Sequence, residues 1–522
     1  MPRQAGVLLP LFSIRSFGDW GVGEIPDLVP WARWCASAGF SVAMVLPVNE
    51  ASRGQNSPYA ALTAFAVDPV YVGVGALEDF EAAGGVSALS REDQALLEAV
   101  RTSPGVRWNE VRGLKHRALA LAFRRFAREE WARRSARALE LEAFARSEAA
   151  WLDDYALFVS IHELEQGGRS WVEWPQPLRD RDPAALADAR ARLSRAVLFH
   201  QWLQWQAEEQ WHAARRAANA VGVELAGDLP FMVATDSADV WARRGDFRLD
   251  ARVGVPPDAF SATGQDWGLP VYRWDVMERD GFPWLNERAR RMADLYGLYR
   301  VDHVVGLYRT YYFPNGGTPP AFVPDTEPAQ IVNGETVLQI LSTGARVIAE
   351  DLGTVPEFVR ASLAEKEIPG YRVLRWERHW DDPGQPFRDP AKWPAVSVAT
   401  TGTHDTDSTA DWFEGMTDEE RKAFLALPQL AALRPRAPTR FDDGVRDAIL
   451  DLVYRAGSDL LLLPFQDACG MRERVNVPGT VTDENWTYRI PRDLAALHAD
   501  AAGRDRLRAL AARSGRIAGG TG

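Results

Sequence analysis

Short apolar runs alternate with longer helix-like stretches along this chain of 522 residues. Eight of the runs have the length and apolar composition of buried strands. They span residues 7–12, 41–46, 221–226, 297–301, 346–349, 371–375, 396–400 and 459–464. Strands that alternate with helices are typical of βα units, and eight such units predict an α/β fold closed into a (β/α)8 TIM barrel.

The spacing of these runs is uneven, and the long gaps predict insertions into one catalytic barrel that spans residues 1–522. About 170 residues separate the second run from the third, far more than a βα connection needs. Stretches 118–146 and 182–220 have helical periodicity, with Asp182 as an N-cap before a first-turn proline, so 75–220 is predicted to be a mainly helical inserted subdomain. Residues 250–287 are predicted to form an active-site loop, and 310–335 an irregular rim.

Three acidic residues stand near the ends of three of the strand-like runs. They are Asp302, Glu350 and Asp405. A carboxylate at a strand end contributes little to a core, but it can point into a pocket at the carboxyl-end face of a barrel. Three such groups around one pocket would suit a reaction with a cationic, sugar-like transition state.

The neighbours of these carboxylates suggest separate roles. Arg300 precedes Asp302 by two positions, so on a strand both side chains share a face and the guanidinium can orient the carboxylate. An Arg–Asp pair inside a barrel is also a common structural feature. Burial of Glu350 at a strand rim would raise its pKa, which suits a general acid, whereas Asp351 is predicted to cap the following turn.

The adjacent His404 and Asp405 could hydrogen-bond the hydroxyls of one sugar ring or could bind a metal ion. The chain has only eight histidines and no HxH or HxxxH pair beside His404, so no metal site is predicted. No glycine-rich phosphate loop follows a strand, and no GxSxG elbow is present.

Bulk composition narrows the partners and the compartment. The 60 basic and 72 acidic side chains give a net charge of −12, which argues against nucleic acid. Only two cysteines are present, and no apolar run is long enough for a signal peptide or a membrane span, so a cytoplasmic protein without a membrane partner is predicted. Twenty tryptophans is a high count for this length; most are expected in the core or at interfaces, and flat aromatic faces also suit stacking on sugar rings in a binding cleft.

Segments 300–303, 349–353 and 403–405 resemble three signature motifs of the α-amylase superfamily. Further segments resemble the 4-α-glucanotransferases, also called amylomaltases or disproportionating enzymes. They are 57–59, 227–230, 236–241, 254–261, 264–270, 368–370, 476–480 and 485–486. The resemblance runs in order from about residue 6 to residue 495, and it is specific because all the motifs occur together.

The resemblance implies transfer of α-1,4-glucan segments from a malto-oligosaccharide or α-glucan donor to a sugar acceptor, with retention and without a cofactor. Asp302 would be the nucleophile, Glu350 the acid/base and Asp405 a group that binds and distorts the donor sugar. The two reacting carboxyl groups of a retaining enzyme lie about 5–5.5 Å apart. The resemblance also assigns a set of substrate-binding residues: Arg300, His404, Tyr59, Asp228, Trp267 and Ser57.

Two other functions stay open from the sequence: an α-1,4-glucan hydrolase on the same fold, and a non-catalytic glucan-binding protein. The chain departs from the family pattern at 11–18, 304–313 and 406–408, next to the expected pocket, so donor and acceptor length are not fixed. A monomer or a weak homo-oligomer is expected, and no room for a C-terminal β-domain follows residue 495.

Overall fold

A computed structural model describes residues 3–52, 54–257, 264–480 and 482–517. Twelve strands form within these residues. They are β1 (Gln4–Leu8), β2 (Val42–Met44), β3 (Glu224–Leu229), β4 (Phe247–Val255), β5 (Gln265–Tyr272), β6 (Leu298–Val301), β7 (Thr310–Pro314), β8 (Ala321–Val323), β9 (Arg346–Ala349), β10 (Gly370–Val373), β11 (Ser397–Thr400) and β12 (Leu460–Pro464).

Eight of the strands close into a parallel barrel, in the order β1-β12-β11-β10-β9-β6-β3-β2. The predicted barrel is thus confirmed, and each of the eight predicted runs overlaps one of its strands. The strands are buried on both faces, as the run of four leucines in β12 illustrates. The first run was placed too late, because Pro10 lacks an N–H and fixes its own φ, so the ladder stops at Leu8.

Helices occupy the connections between the barrel strands. Those of the described residues are α1 (Leu28–Ser37), α2 (Glu78–Ala82), α3 (Arg91–Thr102), α4 (Trp108–Phe126), α5 (Ala136–Ser147), α6 (Ala149–Ser160), α7 (Gln176–Arg179), α8 (Pro183–Arg192), α9 (Ser194–Ala220), α10 (Ala238–Ala242), α11 (Trp274–Arg279), α12 (Pro283–Leu295), α13 (Val305–Tyr308), α14 (Glu327–Leu341), α15 (Glu357–Glu365), α16 (Thr409–Gly415), α17 (Asp418–Leu425), α18 (Asp443–Tyr454), α19 (Phe465–Cys469), α20 (Leu494–Ala499) and α21 (Ala501–Arg513). None of these helices is both long and apolar enough to cross a membrane.

Helices α2 to α9 fill the long connection between β2 and β3, and α9 packs on α1, α6 and β3. Asp182 caps α8 by accepting from the backbone N–H groups of Ala184 and Ala185, as predicted. The predicted helix 118–146 is interrupted: α4 ends at Phe126, a π-helical turn follows, and Ser135 caps a new helix. A separate subdomain with bounds 75–220 stays a prediction.

A second sheet, β5-β4-β7-β8, is antiparallel and is built from the segments between β3 and β9. Residues 310–335 are more regular than expected, because β7 and β8 pair there and α14 begins at Glu327; that they form a rim insertion stays a prediction. Pairing with β7 covers an edge of β4 that would otherwise expose unpaired backbone groups. Part of the predicted active-site loop, residues 258–263 with Phe260, lies outside the described residues.

Candidate active site

The three predicted carboxylates follow the carboxyl ends of three barrel strands, β6, β9 and β11. The N–H of Asp302 donates to the carbonyl of Leu229 at 3.1 Å, and the N–H of Glu350 donates to the carbonyl of Val301 at 3.0 Å. Because β6 pairs with both β3 and β9, these bonds place Asp302 and Glu350 at the same level on neighbouring strands.

Arg300 connects the strand interior with the first of these carboxylates. It lies directly opposite Asp228 in the β3–β6 register, and its Nη1 donates to both carboxylate oxygens of Asp228, at 2.9 and 2.7 Å. Its Nη2 donates to Oδ1 of Asp302 at 2.7 Å. Burial alone would lower the pKa of Arg300, but the two carboxylates outweigh burial and hold that pKa well above its usual value.

Tyr59 and His404 extend this network towards Asp405. The hydroxyl of Tyr59 donates to Oδ2 of Asp228 at 2.7 Å, and burial followed by the charge of Asp228 raises the pKa of Tyr59. The rings of Tyr59 and His404 stack with centroids 5.2 Å apart, and both contact the ring of Trp486 at 5.8 Å. A continuous set of contacts therefore runs from Asp302 to His404, through Arg300, Asp228 and Tyr59 in that order.

Asp405 is held from the other side by a segment far along the chain. Nδ2 of Asn476 donates to Oδ1 of Asp405 at 2.6 Å, and Nη2 of Arg474 donates to its backbone carbonyl at 2.7 Å. The second carboxylate oxygen lies 3.5 Å from Nε2 of His404. The carboxylate thus lies between Asn476 and His404, while 40% of the Asp405 side chain remains exposed.

Glu350 is oriented by the backbone. Its Oε2 accepts from the N–H of His303 at 2.9 Å, and its Oε1 accepts from the N–H of Leu352 at 3.2 Å. Burial raises the pKa of Glu350 to about 8, Arg300 opposes that rise and Asp302 adds to it. A carboxyl group with this pKa is protonated at neutral pH and can act as a general acid.

His303, between the two carboxylates in sequence, was not assigned to the site by sequence reasoning. It has a left-handed backbone with φ of 46°, which directs its N–H at Glu350. Its ring contacts Trp267 edge-on at 4.9 Å and Phe231 at 5.4 Å, and burial lowers the pKa of His303 to about 4, so the ring is neutral. A non-glycine residue in this conformation is uncommon, and such residues concentrate at functional sites.

The remaining predicted residues border this centre in different ways. Trp267 on β5 brings the antiparallel sheet against the loop after β6 through its contact with His303. Ser57 shapes the turn before Tyr59, since its Oγ accepts from the N–H of Tyr59 at 3.3 Å. Asp351 does not cap the following turn; its Oδ1 accepts from the N–H of Tyr371 at 2.6 Å because the side chain points towards β10.

A metal-type cluster occurs elsewhere in the described residues. Glu208 and His212 on α9 approach Asp294 on α12, with Nε2 of His212 at 3.1 and 3.4 Å from the two carboxylates. Arg291 donates to the same two carboxylates at 2.6 and 3.1 Å. The Arg291 guanidinium already pairs with both carboxylates, so the cluster is interpreted as an ion-pair network between two helices.

Comparison with known proteins gives one consistent result. Residues 9–495 match the family described as 4-alpha-glucanotransferase. The 4-alpha-glucanotransferase of Thermus thermophilus is 35% identical and covers 99% of this chain and 100% of its own length, and that of Chlamydia pneumoniae is 31% identical over 94% and 92%. The amylomaltase of Streptococcus agalactiae, solved in complex with acarbose, is 25% identical with a TM-score of 0.83, covering 99% of this chain and 100% of that one.

These matches span nearly the whole chain, and the relatives are transferases, so neither a hydrolase nor a non-catalytic glucan-binding protein is favoured. The barrel, the order of the motifs and the matches agree, and the chain belongs to the 4-alpha-glucanotransferase family.

Proposed function

We propose that this enzyme transfers α-1,4-glucan segments by a retaining double displacement in which Asp302 is the nucleophile and Glu350 the acid/base. The observation that carries the proposal is the contrast between the two carboxyl groups. Asp302 pairs with the Arg300 guanidinium at 2.7 Å, whereas burial raises the pKa of Glu350 to about 8. Two carboxyl groups with opposite environments are what an ionised nucleophile and a proton donor require.

In the first step, a carboxylate oxygen of Asp302 attacks the anomeric carbon of the donor glucan. The bond from that carbon to the glycosidic oxygen breaks as the Glu350 proton moves to the leaving oxygen. The products are a β-glycosyl ester on Asp302, an ionised Glu350 and a shortened glucan with a free 4-hydroxyl. The two backbone N–H groups that contact Glu350 stabilise the charge it acquires.

In the second step, Glu350 takes the proton from the 4-hydroxyl of an acceptor sugar. The acceptor oxygen attacks the same anomeric carbon, the ester bond breaks and Asp302 leaves as a carboxylate. Two inversions at one carbon give net retention, and the active site returns to its starting protonation.

The donor sugar is proposed to lie against Asp405 and His404. Asp405, oriented by Asn476, accepts hydrogen bonds from neighbouring sugar hydroxyls, and the bonds shorten as the ring flattens towards an oxocarbenium ion. Tyr59 stacks on His404 and fixes that ring for its contact with the same sugar. Arg300 keeps Asp302 aimed at the anomeric carbon.

Transfer rather than hydrolysis requires an acceptor sugar to be held while water is kept from attacking. The β4–β5 hairpin contacts the loop after β6 through Trp267 and His303, and the Trp267 ring offers an aromatic surface for the acceptor. Incubation with maltotriose followed by chromatography tests the reaction class. We expect glucose and a ladder of longer oligosaccharides with no net gain of reducing ends; a gain that matches turnover would mean hydrolysis.

The nucleophile is tested by Asp302→Asn, with the exposed Asp188→Asn on α8 as a matched control. Asp302→Asn should lower turnover by at least about a thousand-fold while maltotriose still binds, whereas Asp188→Asn should leave turnover unchanged. Persistent turnover in Asp302→Asn would remove Asp302 from the mechanism.

We also propose a cytoplasmic location and a monomer or weak homo-oligomer. Cys35 and Cys469 are free thiols, and Cys35 is buried, which fits a reducing compartment. Light scattering across a concentration series tests the oligomeric state, and a fixed higher oligomer at every concentration would contradict it.

A further inference from the structure

A groove of about 600 Å³ lies apart from the carboxylates of the active site. It is formed by Arg378 and residues 380–385, in the loop that follows the carboxyl end of β10, and by residues around the start of α17. Trp380 stands at this groove with 52% of its surface exposed. Asp381, Asp382 and Glu419 line the groove beside it.

The loop that carries Trp380 is held in place by Arg378. The guanidinium of Arg378 lies over the ring of Trp380 at 5.1 Å and over the ring of Phe387 at 4.6 Å. It also donates to the carbonyl of Gln385 at 2.9 Å and to Oε1 of Glu420 at 3.0 Å. A ring fixed in this way offers its open surface to a ligand without losing side-chain entropy on binding.

An indole exposed to this extent gives up hydrophobic stabilisation that burial would provide. Among the residues that the structure describes, another strongly exposed aromatic ring is that of Phe17, whose surface is 95% exposed. Phe17 is not among the residues that line the groove. The combination of an anchored ring, a concave surface and polar groups is therefore a feature of the Trp380 region, and Phe17 provides a matched comparison.

The polar groups of the groove favour a hydroxylated ligand over a metal ion. Within the residues that the structure describes, the side chains close enough to share one ion are Glu208, His212 and Asp294, which lie elsewhere. The three groove carboxylates therefore do not gather around one point as ligands of a single ion would, but they can each accept a hydrogen bond from a separate hydroxyl. The C–H face of a pyranose ring packs on an indole face, and its equatorial hydroxyls point sideways towards such acceptors.

We propose that the Trp380 groove is a second binding surface for α-1,4-glucan chains, separate from the active site. The proposal rests on the glucan substrate assigned under the proposed function. The loop follows the carboxyl end of β10, the strand end next to those of β9 and β11, which carry Glu350 and Asp405 into the active site. A long chain bound at the groove would be held on the face of the barrel where transfer occurs. The proposal requires that maltotriose in the active site does not reach the groove.

The test compares Trp380→Ala with Phe17→Ala in two measurements. The first is affinity electrophoresis in gels that contain soluble amylose, performed in the Asp302→Asn background so that the polymer is not consumed. We expect Trp380→Ala to weaken retention by about three- to ten-fold and Phe17→Ala to leave it unchanged. The second is kcat/KM for maltotriose in the otherwise unaltered enzyme, which should stay within about two-fold for both variants.

Equal retention of Trp380→Ala and its parent would overturn the proposal. A parallel loss of kcat/KM for maltotriose would also overturn it, because the groove would then belong to the active-site cleft. The double variant Asp381→Asn, Asp382→Asn keeps the ring and the fold and should also weaken retention. Failure of the proposed function would show separately, as absent transfer from maltotriose by the unaltered enzyme, since the gel measurement needs no turnover.

Discussion

Replacing Glu350 with glutamine should make the protein more stable at alkaline pH while it abolishes transfer. Burial raises the pKa of Glu350 from its ordinary value of 4.5 to about 8. A carboxyl group whose folded-state pKa is raised favours the folded state at low pH, and that contribution is lost as pH rises through the folded-state pKa. Glutamine does not ionise, so the difference in the free energy of unfolding between the two proteins must depend on pH.

The size of the effect follows from the two pKa values. Below pH 4.5 the group is protonated in both the folded and the unfolded chain, and the charge costs nothing. Between pH 4.5 and about 8 this group ionises only in the unfolded chain. Relative to Glu350→Gln, the free energy of unfolding of the unaltered protein therefore falls by about 1.36 kcal/mol for each pH unit. Above about 8 the cost is constant, with a ceiling of about 5 kcal/mol.

Urea unfolding of the two proteins from pH 4 to pH 9 measures this difference. A glutamine side chain can accept from only one of the two N–H groups that Glu350 contacts, so a constant offset is expected, and the pH-dependent part carries the information. Glu140→Gln, at an exposed position on α5, is the matched control and should show no slope. A difference that stays flat from pH 4 to pH 9 would refute the assignment of Glu350 as a buried proton donor.

Three further substitutions probe other parts of the structure. Arg300→Lys cannot contact both Asp228 and Asp302, so kcat/KM for maltotriose should fall by at least about a hundred-fold. Gly306→Ala places a Cβ 2.6 Å from the His303 ring, so kcat should fall by about ten-fold and the urea midpoint should drop with it. Arg516→Gln removes donors from five backbone carbonyls and should cost about 3 kcal/mol in urea unfolding, with turnover per folded molecule unchanged.

Each of these changes has a control in which the same substitution is made at a position outside the site. Arg124→Lys is at an exposed position on α4, Gly415→Ala adds a Cβ where no atom lies within 4 Å, and Arg513→Gln is at an exposed arginine on α21. Normal turnover in Arg300→Lys or Gly306→Ala would disconnect that residue from catalysis. A wild-type urea midpoint for Arg516→Gln would mean that its buried hydrogen bonds do not stabilise the fold.

The barrel was predictable because its strands carry their signal locally. The strands of a parallel barrel are buried on both faces, so they appear in sequence as short continuous apolar runs, such as Leu460–Pro464. A chain turn displaced the start of one strand from its predicted position. Gly222, with φ of 75°, ends α9 and delays β3, whose polar Asp228 hides the strand end from an apolar pattern.

The antiparallel sheet was missed because its strands depend on partners rather than on their own composition. Thr310–Pro314 contains two tyrosines and a phenylalanine, which favour a strand, but the glycines and prolines that follow are typical of a loop. Its strand character comes from pairing with β4 across more than fifty residues of sequence.

Within the site, the side chains that could be predicted from the residues alone were those directly after strand ends, because a carboxylate after an apolar run is visible in the local sequence. Asp302 and Glu350 are of this kind. Asn476 lies 71 residues from Asp405, and no local pattern links the two. His303 contributes a backbone N–H, which every non-proline residue has, so only its left-handed φ distinguishes it, and that angle is not encoded in a periodicity.

Because of its position between Asp228 and Asp302, Arg300 is expected to affect both steps of the proposed reaction. Its charge orients Asp302 directly, and it also opposes the rise of the Glu350 pKa that burial causes. Glu350 must give up a proton in the first step and take one in the second, so its pKa has to lie near the working pH. Asp302 is an uncharged ester when the second step begins, so burial then remains the main cause that raises this pKa. Without a cation at Arg300, burial would drive the pKa of Glu350 higher, and the ionised form required for the second step would become too costly to form.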